Sequence, residues 1–164
     1  MALGILSNLE NAINGIDDKS SIEIGWFDGD MPMIADVQEY GAMIPVTSKS
    51  RAFFGGRYGI HLTTNSLVIP PRPHRQRTIN EKAETQWAND LSKALKNANY
   101  SLLTAFNEVG EKWENDYREV LTDGQYQELS PMTLDIRKQD GIGGDTPLVA
   151  TGKMQASLTY KVGD

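Results

Sequence analysis

The stretch "LVIPPRPHRQRTIN" (67–80) constrains the fold more than any other part of this chain. Proline restricts φ and lacks a backbone N–H, so Pro70, Pro71 and Pro73 separate a strand from a following helix. Arg72, His74, Arg75 and Arg77 make the same run densely basic. Three readings fit such a segment: a linker, a nucleic-acid contact, or a rigid arm that docks onto a neighbouring subunit. The rest of the chain discriminates among them.

A length of 164 residues suits a single domain spanning 1–164, long enough to bury one sizeable core. With 39% hydrophobic and 23% charged residues, the composition is that of a folded rather than a disordered protein. There is no cysteine, which excludes disulfides, thiolate metal sites and cysteine nucleophiles and fits a reducing compartment. No apolar run approaches the length of a membrane span, and the first residues lack the basic start and apolar core of a signal peptide. Leu3, Leu6, Leu9, Ile13 and Ile16 instead form the stripe of an amphipathic helix. A soluble, intracellular product is expected, with no membrane partner.

The formal charge of −6 is unevenly spread. Between Glu39 and Glu81 there is no acidic residue, whereas Lys49, Arg51, Arg57, Arg72, Arg75 and Arg77 are basic. The remaining chain holds 10 basic and 22 acidic side chains. Opposed regions of this kind attract across copies.

The spacing of apolar residues predicts an α/β (α+β) fold: a small, mostly antiparallel sheet packed against two or three helices. "SIEIGWF" (21–27) alternates as a half-buried strand. "MIADVQEYGA" (33–42) reads as a short helix with Ile34, Val37 and Tyr40 on one face and Gly41 as its stop. From about 44 to 70 the pieces "RAFF", "YGIHL" and "SLVI", separated by "GGR" and "TTNS", predict an extended β-hairpin flap. Ile79, Ala83, Trp87, Leu91 and Leu95 then predict a helix over 79–97, with Thr78 and Glu81 as a capping box. A second helix over 102–121 carries Phe106, Trp113 and Tyr117; Trp87, Phe106 and Trp113 are expected in the core. Ser130 and Pro131 open a further helix. After the loop "QDGIGGDTP", Met154, Ala156, Leu158, Tyr160 and Val162 alternate toward a C-terminal strand that pairs with "SIEIGWF".

Catalytic chemistry finds little support, and a small hydrolase using His61 or His74 stays open only as a further reading. His61 and His74 lack a partnering Ser and Asp, "DGD" (28–30) lacks the further oxygen ligands of a calcium loop, and "GIGGD" lacks the lysine and spacing of a phosphate loop. No catalytic, cofactor or metal residue is expected. Arg51 and Arg57 on the flap, with Arg72, His74, Arg75 and Arg77, leave duplex contact open as an alternative, though the pI of 4.9 and the lack of a binding motif argue against sequence-specific recognition.

Three stretches, in order, resemble a known family. "VQEYGAMIPVTSKSRAFF", "IPPRPHRQRTINEKAETQW" and "TPLVATGKMQASLTYKV" are similar to boxes of tailed-phage neck and tail-completion proteins, including the Mu-like virion morphogenesis group. The resemblance spans about residues 34–162, with His74 standing where an aromatic is usual and Ala150 where an acidic residue is common. It implies a structural virion protein without a catalytic site, assembled in the host cytoplasm. Its partners would be copies of itself in a hexameric or dodecameric ring, the capsid connector or adaptor, and the tail terminator or tail tube, with non-specific contact to genomic DNA open. On that reading the proline run is a docking arm. Pro71, Arg72, Pro73, Arg75 and Arg77 would contact a neighbour, as would Arg51, Phe53, Phe54, Arg57 and Tyr58 on the flap. The arginines are expected at the surface, because burying an unpaired guanidinium is costly.

Overall fold

The computed structural model describes residues 19–163, so the helix expected over the first sixteen residues lies outside the described part. In chain order the elements are β1 (Ser21–Gly25), α1 (Met31–Tyr40), β2 (Ala42–Pro45), α2 (Ser48–Tyr58), β3 (Ser66–Ile69), α3 (His74–Thr78), a π-helical stretch (Ile79–Trp87), α4 (Ala88–Asn97), α5 (Leu102–Asp123), α6 (Pro131–Gln139), α7 (Lys153–Ala156) and β4 (Thr159–Gly163). The fold is mixed α/β, with its strands paired as two antiparallel ribbons, β1–β4 and β2–β3. The chain divides into two compact units: 19–27, 76–120 and 158–163 in the first, 28–75 and 121–157 in the second.

The first unit follows from apolar periodicity. β1 pairs with β4 as the alternation predicts, Ile22 facing Val162 and Ile24 facing Tyr160. The two isoleucines pack on a core of Ala94, Ala105, Val109 and Trp113, with Trp87, Leu91 and Leu95 against it. The Trp87 and Trp113 rings stack with centroids 4.9 Å apart, and Trp87 Nε1 donates to Asp116 Oδ2 at 2.9 Å. Trp26 meets Tyr117 edge-on at 5.7 Å. Between α4 and α5 the chain reverses through Asn99 and Tyr100, both at positive φ (49° and 65°), and Ser101 Oγ then accepts from Thr104 N–H at 3.3 Å. Gly110 of α5 is required by packing. A Cβ there would lie 2.2 Å from the Tyr160 ring, so β4 approaches α5 only because the side chain is missing.

Three details of this unit depart from expectation. Helix begins at His74 rather than Thr78, so Thr78 has helical φ and ψ and makes no side-chain cap. Glu81 instead pairs with Arg77 at 2.6 Å, one turn earlier. Ile79 is exposed, and Phe106 and Trp87 are half-buried while Trp113 is fully inside.

The second unit is less regular. Its ribbon runs from Ala42 opposite Ile69 to Pro45 opposite Ser66, so the ends of the predicted flap do pair. The span between them, however, is the helix α2 rather than hairpin strands. Local capping wins over the β propensity of "RAFF" here. Thr47 Oγ1 accepts from Ser50 N–H at 3.1 Å and Ser50 Oγ accepts from Thr47 N–H at 2.8 Å, a reciprocal box that starts the helix. Gly59, at φ 68°, stops it. Gly41 (φ 74°) lets the turn after α1 pass Ile69 O and Pro71 N, which a Cβ would meet at 2.7 and 3.0 Å. α1 turns Ala35 and Glu39 inward, and Tyr40, expected on the buried face, is exposed. Met154 and Ala156, expected in a strand, lie on α7. The interior combines Ala35, Leu62, Leu121, Leu148 and Met154 with four polar side chains: Glu39, Arg72, His74 and Arg137.

Candidate functional site

The proline run is not a free arm. Arg72 N–H donates to Gln38 O at 2.6 Å, and His74 N–H reaches back across Pro73 to Arg72 O at 2.7 Å. That short turn suits the fixed φ of proline and drives Arg72 inward. The residue is 5% exposed; Nε donates to Gln127 O and Nη1 to Gln38 Oε1, each at 3.1 Å. Its pKa is lowered first by burial and then by the charge of Arg137. The expectation that Arg72 sits at the surface is therefore corrected: neutral carbonyl and amide oxygens solvate it inside the unit. Pro71 and Pro73 remain exposed.

His74, at the aromatic position of the resembled box, is wholly buried. Its Nε2 faces Ala35 O at 3.2 Å and Nδ1 lies 3.6 Å from Glu39 Oε2. Burial lowers its pKa most, over the opposing pull of Ala35 O and Glu39. Glu39 Oε2 also accepts the Arg75 backbone N–H at 2.7 Å, while the Arg75 side chain pairs with Asp36 at 2.7 Å.

The flap cations are likewise bonded to the chain. Arg51 donates to Leu62 O and, at 2.8 Å, to Thr64 O, bracing α2 against the loop that follows it. Arg57 pairs with Asp140 at 2.9 Å, and Tyr58 Oη donates to the other oxygen of that carboxylate at 3.0 Å. Tyr58, ahead of Asp140, holds the Arg57 pKa above its usual value. Phe53, Phe54 and Tyr58 form an aromatic cluster in which Phe53 is exposed and Phe54 half-buried.

Sequence reasoning missed the larger apolar surface. Met43 and Val68 stand directly opposite each other on the β2–β3 ribbon and are 72% and 67% exposed. Met33, Tyr40 and Ile44 of the same unit are exposed as well. A cross-strand register argument could have found the Met43–Val68 pair, had "AMIP" been aligned with "SLVI".

The second unit also contains a pocket of about 900 Å³, lined by residues from α1, β3, the segment before α6, and the loop leading into α7. Arg72 and Arg137 both line it. Among the described residues, no group of three or more His, Asp or Glu side chains is gathered to hold a metal, and no helix is long and apolar enough to cross a membrane. His61 is exposed on a loop. No protein-family model, no curated protein and no solved structure matches the chain.

Proposed function

We propose that this chain is a structural virion protein of a tailed phage, forming a ring at the head–tail interface that completes the tail and joins it to the capsid connector. The observation that carries the reading is the two-stranded ribbon with its exposed Met43–Val68 pair. Each strand of the ribbon has one partner, which leaves an edge on either side among the described residues. Open edges and a contiguous apolar pair are liabilities for a solitary subunit and assets for one that docks on copies of itself. The ordered resemblance over 34–162 supports the location, and the exposed Phe53 extends the apolar surface available to a neighbour. The role is structural rather than catalytic.

Replacing Met43 and Val68 together by Lys tests the proposal. Both side chains are exposed, so the subunit should fold and melt nearly as before, within about 0.5 kcal/mol per site. Sedimentation should show loss of the ring, and complementation of a phage lacking the protein should give heads and tails that stay apart. A wild-type chain that remains monomeric at high concentration and is absent from purified particles would sink the reading.

A further inference from the structure

The pocket in the second unit is unlike a gap left by imperfect packing. Its walls include the apolar side chains of Met31, Ile34, Leu148 and Met154, and both buried arginines reach it. A guanidinium carries five N–H donors in a planar fork. Arg137, 8% exposed, directs only Nη1 at chain oxygens, the carbonyls of Gly144, Thr146 and Val149 at 3.1–3.3 Å. Arg72 uses Nε and Nη1. Among the described residues, Nη2 of Arg72 and both Nε and Nη2 of Arg137 have no hydrogen-bond partner, and neither arginine meets a carboxylate. Two largely buried cations near enough to disfavour one another, whose spare donors open onto the pocket rather than onto the chain, offer a place for one anion.

We infer that this pocket binds a carboxylate presented by a peptide segment of a partner protein, an acidic residue between apolar neighbours, with Arg72 and Arg137 as the receiving fork. The planar carboxylate matches guanidinium geometry, and the volume fits several side chains rather than a lone ion. Lys153 adds a third cation at the exposed rim, and the first turn of α6, through Ser130 and Thr133, adds the positive end of a helix dipole. Asp30 and Glu128 also line the pocket, both at exposed positions. They select against a phosphate dianion and leave a singly charged, apolar-flanked carboxylate as the better fit. This assignment stands on the pocket alone and does not depend on a place in the virion.

The experiment titrates the peptide acetyl-Leu-Glu-Leu-amide into the full-length chain and follows the Nε–H resonances of Arg72 and Arg137 by nitrogen-15 NMR. The expected result is a saturable shift at Arg137 Nε–H, with the Gln counterpart of the peptide binding at least about tenfold more weakly. Arg137→Lys, which keeps the charge and loses the fork, should abolish the response at the Arg72 Nε–H resonance. Because that residue is buried and its variant can fail to fold, two exposed rim changes carry the test independently. Lys153→Glu should weaken binding several-fold and Glu128→Gln should strengthen it, with the melting temperature unchanged in both. No saturable shift, equal affinity for the Glu and Gln peptides, or unaltered affinity in both rim variants overturns the inference. Inorganic phosphate binding more tightly than the Glu peptide overturns the choice of a carboxylate.

Discussion

The two units bury different materials. The first encloses tryptophan, alanine, valine and leucine from helices and a ribbon, while the second encloses Glu39, Arg72, His74 and Arg137 among fewer apolar side chains. Apolar burial stabilises in proportion to area and needs no particular partner. A buried guanidinium must be solvated group by group, and often contributes no net stability compared with an apolar residue of the same size. The contrast separates a unit whose interior answers to stability from one whose interior holds donors ready for something else.

Trp113→Ala is expected to have the largest effect, about 3–5 kcal/mol, because it removes a stacked ring from the centre of the first unit. Trp113→Phe should cost less than about 1.5 kcal/mol. The indole Nε1 is buried with no hydrogen-bond partner among the described residues, so losing it strands nothing. Trp26, Trp87 and Trp113 all belong to the first unit. Tryptophan fluorescence therefore follows that unit alone, while far-UV ellipticity follows both, and the two signals measured together report which unit each variant loosens. A cost for Trp113→Ala below about 1 kcal/mol would erase the contrast.

Legibility divides along the same line. Ile22, Ile24, Leu91, Leu95 and Trp113 could be read from the sequence because periodicity marks residues that face an apolar core, and the pairing of β1 with β4 followed. Arg72 could not, because charge patterning predicts a solvated face and only the turn across Pro73 reveals an inward one. The helix α2 was hidden by the β propensity of its aromatics, although the Thr47–Ser50 box was there to be read. Arg137 left no signal at all, since its partners are three backbone carbonyls whose convergence depends on the path of a loop.

Glu39→Ala probes the second unit by removing a carboxylate rather than a ring. It removes the carboxylate that accepts the Arg75 N–H and one of the two that act on His74, at an expected cost of about 2–4 kcal/mol. Ellipticity should register the loss at temperatures where fluorescence does not yet change. Simultaneous movement of both signals would show that the units unfold as one body.

Gly110→Ala returns to the first unit with a change of sign. In an exposed helix interior this substitution stabilises by about 1 kcal/mol. Here the new methyl meets the Tyr160 ring, so a destabilisation of about 1–3 kcal/mol is expected, and Tyr160→Ala should relieve the clash in the double variant. An additive double variant would mean that the ring was never the obstacle.

The smallest expected effect is a pH dependence belonging to the second unit. Folding lowers the pKa of His74 below its ordinary 6.5, chiefly by burial, with Arg75 reinforcing the shift and Ala35 O, Glu39 and Asp36 opposing it. The unfolded chain therefore takes up a proton near pH 6.5 that the native state excludes. Stability from this group is complete above pH 6.5 and is lost as pH falls toward the lower native value, by at most about 1.4 kcal/mol per pH unit. His74→Gln retains an amide donor for Ala35 O and removes the titration, so its ellipticity melts should be flatter between pH 6.5 and 5.5 than those of the wild type. Fluorescence melts should show the same pH slope in both proteins, because no tryptophan lies in the second unit. Parallel loss of stability in wild type and variant would place the acid sensitivity in surface carboxylates, and the polar interior would then be as indifferent to pH as the apolar one.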